Sequence, residues 1–323
     1  MKKITVVVPA LTDEQRGRLA EKAASCGYET VFYENNLSAY KDAADSEIIY
    51  GQGADLAKAG KRLKWMCSCS AGVDAYCREG VFHSEDVMLT NAKGSYGVTI
   101  SEYIIMVTLM LLRREMEYMQ FVREKRWVQT LPITSILGSR VTIVGTGNIG
   151  TETAKRFAAF SPAKITGINR SGRIGEEYKP LFDEVGTQAD FGRILPETDI
   201  LVLCTPGTAS TQRMIGREAL AMMKETAVIV NVGRGSAIDQ QALEEALRAG
   251  KIRAAALDVF EKEPIPQDDP IWECPNLLIT THVSGNMSLP WTVEENLKLF
   301  LEDLDNYVNG RPLARLIDRS VGY

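Results

Sequence analysis

The chain is short of several things, and each shortage excludes a class of protein. Six cysteines in 323 residues, at Cys26, Cys67, Cys69, Cys77, Cys204 and Cys274, set no disulfide framework. Their spacings match no standard zinc pairing, so Cys67-Ser68-Cys69 with Cys77 and His83 reads as ordinary thiols and no metal site is expected. Basic residues are not in excess. Lys plus Arg total 37 against 42 Asp plus Glu, a net charge of −5, which denies the chain the electrostatic footprint of a nucleic-acid binder. No apolar run approaches the roughly 18 residues of a membrane span; the longest, residues 104–112, contains Thr108 and meets Arg113-Arg114. The basic then apolar start stops at Pro9, short of the roughly 7–15 residues of a signal core, and reads as a strand opening a fold. The expectation is a cytoplasmic protein with reduced cysteines and no membrane or nucleic-acid partner.

What is present is ordinary globular composition, 45% apolar and 24% charged. The length is about twice a ~150-residue domain, which favours two domains. Short β-branched or apolar runs at 4–8, 47–50, 141–144, 164–168, 199–204, 227–232, 254–259 and 277–280 alternate with helix-period stretches. A continuous apolar strand such as Ile200-Leu201-Val202-Leu203 suits a parallel sheet covered on both faces, and the alternation argues for a doubly wound α/β fold. Asp239 caps a helix whose Leu243, Ala246 and Leu247 form one stripe before Gly250 ends it. Thr99-Ile100-Ser101-Glu102 reads as a capping box ahead of a helix at 103–113. A mixed-charge stretch at 115–127 and a loop at 130–139 then separate that helix from a compact unit beginning at Arg140.

Val141-Thr142-Ile143-Val144 runs into Gly145-Thr146-Gly147-Asn148-Ile149-Gly150, followed by a helix-compatible stretch and a second strand at 164–168. In that context Gly145 permits a tight turn, Gly147 lets the backbone approach a pyrophosphate, and Gly150 lets helix and strand pack closely. The phosphates would meet free amides at the helix N-terminus. A carboxylate roughly 20 residues past the loop would read the ribose of NAD. This chain has Asn169-Arg170-Ser171-Gly172-Arg173 there. With no carboxylate to repel a 2′-phosphate, and two guanidiniums and a hydroxyl to bind one, the segment favours NADP, with NAD possible.

Three further strand ends carry chemistry. Residues 227–232 lead into Gly233-Arg234-Gly235-Ser236, residues 254–259 into Phe260-Glu261-Lys262-Glu263-Pro264, and residues 277–281 into His282. Open α/β sheets bind ligands at such ends. An arginine can hold a carboxylate bidentately, and a histidine can protonate a carbonyl oxygen as hydride arrives at its carbon. A neighbouring carboxylate, Glu261 or Glu263, would orient the imidazole. Taken singly, each has a structural reading as a loop arginine, a solvated acid or a strand cap. Their conjunction favours reduction of a 2-oxo acid.

Over nearly its whole length the sequence resembles the D-isomer-specific 2-hydroxyacid dehydrogenase family. The resemblance is carried by Ser70-Ala71-Gly72-Val73-Asp74, the glycine loop, Thr205-Pro206-Gly207-Thr208-Ala209-Ser210-Thr211, residues 231–236, residues 256–264, and Asp269-Pro270-Ile271-Trp272 through Pro275-Asn276 to His282. It implies a catalytic Arg234, Glu263 and His282, with Glu263 chosen over Glu261 because it precedes Pro264. It implies cofactor contacts from Gly145, Gly147, Asn148, Ile149, Gly150, Asn169, Arg170, Ser171, Thr205, Pro206, Thr211, Val232, Gly233 and Gly285, with Asp258 on the nicotinamide carboxamide. It assigns the substrate to Ala71, Gly72 and Val73, with Ser95 and Tyr96 facing the same cleft. Thr281 departs from the family, where a proline usually precedes the histidine, and Asn169-Arg170 departs from the NAD pattern.

The implied architecture is two doubly wound parallel-sheet domains. A Rossmann cofactor domain at 99–285 is inserted in a discontinuous, flavodoxin-like substrate domain at 1–98 and 286–323. The family also implies a homodimer with the 115–138 region as its arm. The expected activity is NADP-preferring reduction of glyoxylate, hydroxypyruvate or a similar 2-oxo acid to the D-2-hydroxy acid. Two alternatives are a nicotinamide-sensing scaffold like the C-terminal-binding-protein corepressors and a phosphoglycerate dehydrogenase. The chain shows no partner-binding extension for the first and no room for a regulatory domain for the second.

Overall fold

The computed structural model describes residues 2–320. By its internal contacts the chain divides into two compact units. One runs through Tyr96 and resumes at Asn286; the other is Gly97–Gly285. The break falls where a helix begins, two residues before the boundary expected at 98/99.

The first unit is built on five parallel strands: β1 (Lys2–Val6), β2 (Tyr28–Phe32), β3 (Ile48–Gly51), β4 (Trp65–Ser68) and β5 (Met88–Thr90), in the order β2-β1-β3-β4-β5. That is the flavodoxin-like order. Ile4, Val6, Ile48, Tyr50 and Trp65 are buried in its core. The returning helix Pro290–Val308 starts on a proline, whose fixed φ and missing N–H suit a first helical turn. It buries Val293, Leu297, Phe300 and Leu304 along one stripe. Phe300 stacks on Tyr50 with ring centroids 4.2 Å apart. These contacts make the C-terminal stretch part of the first unit's core.

The second unit holds seven parallel strands: β6 (Arg140–Val144), β7 (Lys164–Ile168), β8 (Glu184–Gly186), β9 (Ile200–Leu203), β10 (Val228–Asn231), β11 (Ala254–Leu257) and β12 (Leu277–Ile279). Their order, β12-β11-β10-β9-β6-β7-β8, reverses direction between β6 and β9. This is the Rossmann arrangement, in which ligands bind at the reversal, outside the carboxyl ends of the strands. Strands β9, β10 and β11 are buried along their whole lengths, as uninterrupted apolar sequences require. No helix among the described residues is long and apolar enough to cross a membrane.

Two local expectations change. The helix expected to start after a Thr99 cap begins at Gly97 and runs to Arg113, so Thr99 lies inside it, buried. The mixed-charge stretch folds as a helix, Glu115–Arg123, that buries none of its residues. Arg114, in left-handed conformation at φ 58°, separates the two helices.

Candidate active site

Strand β6 ends at Val144 and the chain turns through Gly145 at φ 98°. A Cβ on Gly150 would lie 1.9 Å from the Gly145 carbonyl oxygen, so only glycine lets the helix Asn148–Ala158 start this close to the strand. Gly147 is the opposite case. A Cβ there would meet nothing within 4 Å, and no side chain caps the helix that follows. The turn therefore presents open space and uncapped amides, the arrangement an anion needs.

After β7, Asn169 organises the next loop. Its Oδ1 accepts from the Ser171 amide (3.0 Å), the Gly172 amide (2.8 Å) and the Ser171 hydroxyl (3.2 Å). Its Nδ2 donates to Thr146 Oγ1 in the glycine loop (2.8 Å) and to the Arg173 carbonyl (2.7 Å). The Asn169 side chain is thus committed to protein partners and shapes the turn that carries Arg170, Ser171 and Arg173. Past β9, the Thr211 hydroxyl ties the 206–211 loop by donating to the Pro206 carbonyl at 2.8 Å. Thr205 Oγ1 is buried with no hydrogen-bond partner among the described residues. Thr108 and Thr153 share that state inside helices, whereas Thr205 stands at the carboxyl end of β9, where such sheets bind ligands.

The turn after β10 approaches the segments that follow β9 and β11 more closely than side chains allow. A Cβ on Gly233 would sit 2.6 Å from the Thr205 carbonyl oxygen, and one on Gly235 would sit 1.8 Å from the Phe260 carbonyl carbon. The flanking glycines thus set Arg234 between the ends of neighbouring strands. Asn231 braces this turn, accepting from the Gly233 amide at 3.0 Å and donating to the Arg234 carbonyl at 2.9 Å. Val232 and Gly233 lie within it.

The turn after β11 separates the two glutamates. Glu261 faces the guanidinium of Arg213 at 3.2 Å. Glu263 accepts from the Phe260 amide through Oε1 at 2.9 Å, and its Oε2 lies 2.7 Å from Nδ1 of His282. His282 adopts φ 58°, and its amide donates to the Asp258 carbonyl at 2.8 Å. The imidazole is about half exposed. Asp258 itself is fully buried. Its Oδ1 accepts from Thr280 (2.6 Å) and the Val283 amide (2.9 Å), and its Oδ2 from the Ser284 amide (2.9 Å). It anchors the segment that runs from Thr280 past His282 to Gly285. Asn231 and Thr280 were not singled out from sequence, although both sit at strand ends beside residues that were.

The remaining expected residues lie in the first unit. Ala71, Gly72 and Val73 follow β4. Asn91 Nδ2 donates to the Ala71 carbonyl at 2.8 Å, and the Tyr76 amide to the Val73 carbonyl at 2.9 Å. The amides of these three residues have no acceptor among the described residues. Ser95 and Tyr96, expected to face substrate, also make hydrogen bonds within the first unit. The Ser95 hydroxyl donates to the Ala92 carbonyl at 2.8 Å, and the Tyr96 hydroxyl donates to the Cys69 carbonyl at 2.7 Å. Asn296 Nδ2 joins Tyr96 in donating to the Cys69 carbonyl, at 2.9 Å. Tyr96 and Asn296 therefore brace the main chain at Cys69, whereas Ser95 holds its own turn at Ala92.

The sequence pattern of the NAD binding domain of the D-isomer specific 2-hydroxyacid dehydrogenases matches residues 105–284. The chain is 32% identical over 251 residues to a glyoxylate/hydroxypyruvate reductase B from Pectobacterium atrosepticum, covering 75% of this chain and 77% of that one. It is similar to the crystal structure of a D-isomer specific 2-hydroxyacid dehydrogenase family protein from Aeromonas salmonicida, with a TM-score of 0.86, 30% identity, and coverage of 98% of this chain and 99% of that one. It is also similar to an NADPH-dependent glyoxylate/hydroxypyruvate reductase from Sinorhizobium meliloti in complex with NADP and sulfate. There the TM-score is 0.80 at 25% identity, covering both chains in full.

Proposed function

This chain belongs to the D-isomer specific 2-hydroxyacid dehydrogenase family, and from that premise we propose that it reduces a small 2-oxo acid to the D-2-hydroxy acid, with NADPH preferred over NADH. The observation that carries the proposal is the Glu263–His282 contact of 2.7 Å, standing beside the Arg234 turn in a unit whose first strand opens into the glycine loop. Glyoxylate and hydroxypyruvate are the first substrates to test, because a relative of similar length bears their names.

The site fits a nicotinamide dinucleotide. Gly147 and the uncapped amides after it suit the pyrophosphate, and the Thr205 hydroxyl lacks a partner among the described residues. Of the roughly four acceptor positions on a carboxylate, the protein fills three on Asp258, leaving one on Oδ2 for a carboxamide N–H. Bound there, the cofactor supplies a hydride equivalent from its nicotinamide ring. Arg234 grips the substrate carboxylate through its fork of N–H groups and aligns the ketone. His282, doubly protonated, donates from Nε2 to the carbonyl oxygen as charge develops. Glu263 accepts from Nδ1, which fixes the ring's orientation.

The preference for NADPH rests on the Asn169 turn, which holds Arg170, Ser171 and Arg173 where β7 ends without a carboxylate. We also infer a cytoplasmic homodimer with the 115–138 region as its arm. The Glu115–Arg123 helix buries none of its own residues, and Trp127 is 90% exposed. A panel of 2-oxo acids assayed with NADPH and NADH, with chiral analysis of the product, tests the activity. The expected result is a D product and a kcat/KM ratio for NADPH over NADH well above one. A ratio below one removes the cofactor preference, and the absence of turnover with every acid removes the reductase.

A further inference from the structure

Beneath the proposed acid lies a hydrogen-bonded chain whose first two members, Tyr103 and Thr280, have no assigned contact with substrate or cofactor. Tyr103, on the second turn of the helix Gly97–Arg113, places its hydroxyl 2.6 Å from Thr280 Oγ1. Thr280 in turn lies 2.6 Å from Asp258 Oδ1. The direction of this chain follows from its chemistry. An ionised carboxylate only accepts, so the single Thr280 proton goes to Asp258. Thr280 is then the acceptor for Tyr103, whose hydroxyl must donate. Burial pushes the Tyr103 phenol up to about 12, which keeps that proton in place.

Asp258 is where this chain meets the catalytic segment. Its carboxylate takes the amides of Val283 and Ser284, and its carbonyl takes the amide of His282. The residue held at the centre is in left-handed conformation at φ 58°. That region is unfavourable for a side chain with Cβ, so it persists only where the surroundings over-determine it. Three main-chain anchors on one aspartate supply the determination. The orientation of that aspartate depends on the hydroxyl that donates to its Oδ1.

We propose that Tyr103 is a positioning residue for proton transfer: its hydroxyl drives a directed relay through Thr280 to Asp258 that fixes the main chain carrying His282. This inference rests on His282 being the acid. Hydrogen-bonded chains of this kind polarise one another in a buried setting, so loss of the first donor is felt at the last acceptor. The loss acts on the alignment of the imidazole and leaves the carboxylate grip of Arg234 untouched.

The test compares Tyr103→Phe, Thr280→Val, Thr280→Ser, the Tyr103→Phe/Thr280→Val double variant and His282→Gln, with glyoxylate and NADPH as probes. Tyr103→Phe is expected to lower kcat about three- to tenfold, the worth of one buried hydrogen bond, with the glyoxylate KM changed less than twofold. Thr280→Val should lower kcat at least as far, and Thr280→Ser, which keeps the hydroxyl, should restore it. The double variant should be no worse than Thr280→Val, because both changes cut one chain.

A second readout needs no turnover. The chain has two histidines, so ¹⁵N-histidine labelling gives a spectrum in which the missing signal of His282→Gln assigns His282. Tyr103→Phe should broaden or shift the Nδ1–H signal that Glu263 holds, without lowering Tm by more than a few degrees. Unchanged kcat and an unchanged His282 signal in Tyr103→Phe overturn the relay, as do multiplicative losses in the double variant. Should Tyr103→Phe not fold, equal losses in Thr280→Ser and Thr280→Val overturn it alone. If His282→Gln turns over normally, the acid assignment fails instead, and the His282 signal still decides whether the relay positions that loop.

Discussion

Replacing Glu263 by glutamine tests the proposed acid through its partner rather than by deleting it. Gln matches Glu in size, so the question reduces to which end of the new amide faces the imidazole. The Phe260 amide answers it. That N–H donates to Oε1 at 2.9 Å, so the glutamine oxygen stays with Phe260 and its NH2 group turns to Nδ1 of His282, where Oε2 stood at 2.7 Å. An NH2 group can donate only to a ring nitrogen that carries no proton. The substitution therefore holds the imidazole in its neutral form with the proton on Nε2, and opposes the doubly protonated ring that must donate to a substrate oxyanion. A hydrogen bond to a charged group is worth about 1.5–3 kcal/mol, and the partial exposure of this pair argues for the lower part of that range. A loss of 1.5–2 kcal/mol corresponds to a fall in kcat of about 10- to 30-fold. Steady-state reduction of glyoxylate with NADPH measures it, with cofactor affinity followed separately by nicotinamide fluorescence. The reasoning is refuted by a kcat within threefold of the parent, or by a loss that appears entirely in NADPH affinity.

Other outcomes follow from the same geometry. His282→Gln should lower kcat about 10²- to 10⁴-fold, the usual worth of a general acid, with NADPH affinity unchanged; near-normal turnover would remove the role. Gly147→Ala places its methyl in open space, so its thermal midpoint should match the parent while NADPH binding weakens severalfold or more by titration. Equal loss of both would mean the turn is structural. Arg315→Met strands the fully buried Asp303, whose Oδ2 the guanidinium meets at 2.6 Å, and should cost about 3–5 kcal/mol in urea unfolding. Less than 1 kcal/mol would show that the pair is not needed. Glu184 is held down to about 2 by hydrogen bonds from Arg193 and Lys164. Because its folded value lies below its ordinary 4.5, its contribution is complete above that pH and is lost as pH falls towards 2. The difference in Tm between parent and Glu184→Gln should thus be constant near neutrality and close below about pH 4.5; a gap that widens in acid contradicts the sign.

How much of this was legible in the sequence depended on what kind of force fixes each part. Strands buried on both faces announce themselves, and Ile200-Leu201-Val202-Leu203 and Val228-Ile229-Val230 needed nothing beyond their own residues. Strands β2, β4, β5 and β8 were not marked out because they lack that signal. Tyr28–Phe32 places Glu29 and Thr30 in its middle, Trp65–Ser68 has no β-branched residue, and β5 and β8 are three residues each. Their pairing comes from neighbouring strands. The helix Glu115–Arg123 was likewise not marked out: Met116, Met119 and Val122 recur at helical spacing, but they are interleaved with charges and the fold buries none of them.

The site shows the same division at finer scale. Glycines betray close approach where two backbones touch: Gly150 meets Gly145 within the glycine loop itself, whereas Gly235 points to a contact with Phe260 that no local pattern contains. The reactive groups were legible because few residue types can grip a carboxylate or pass a proton. The buried network that orients them was not. Tyr103 lies 177 positions before Thr280, and in sequence it is one aromatic residue among apolar neighbours on a helix. Nothing local distinguishes a tyrosine whose hydroxyl ends a relay from one that only fills space, because the difference lies in the acceptor it meets. The same holds for Asn169: the residue type invited a ribose contact, while the folded loop commits both ends of its amide to Ser171, Gly172, Arg173 and Thr146. Asn169→Ala is therefore expected to lower the NADPH-over-NADH ratio of kcat/KM by releasing the turn that presents the arginines. A change that weakens both cofactors equally would return Asn169 to the role of an ordinary loop residue.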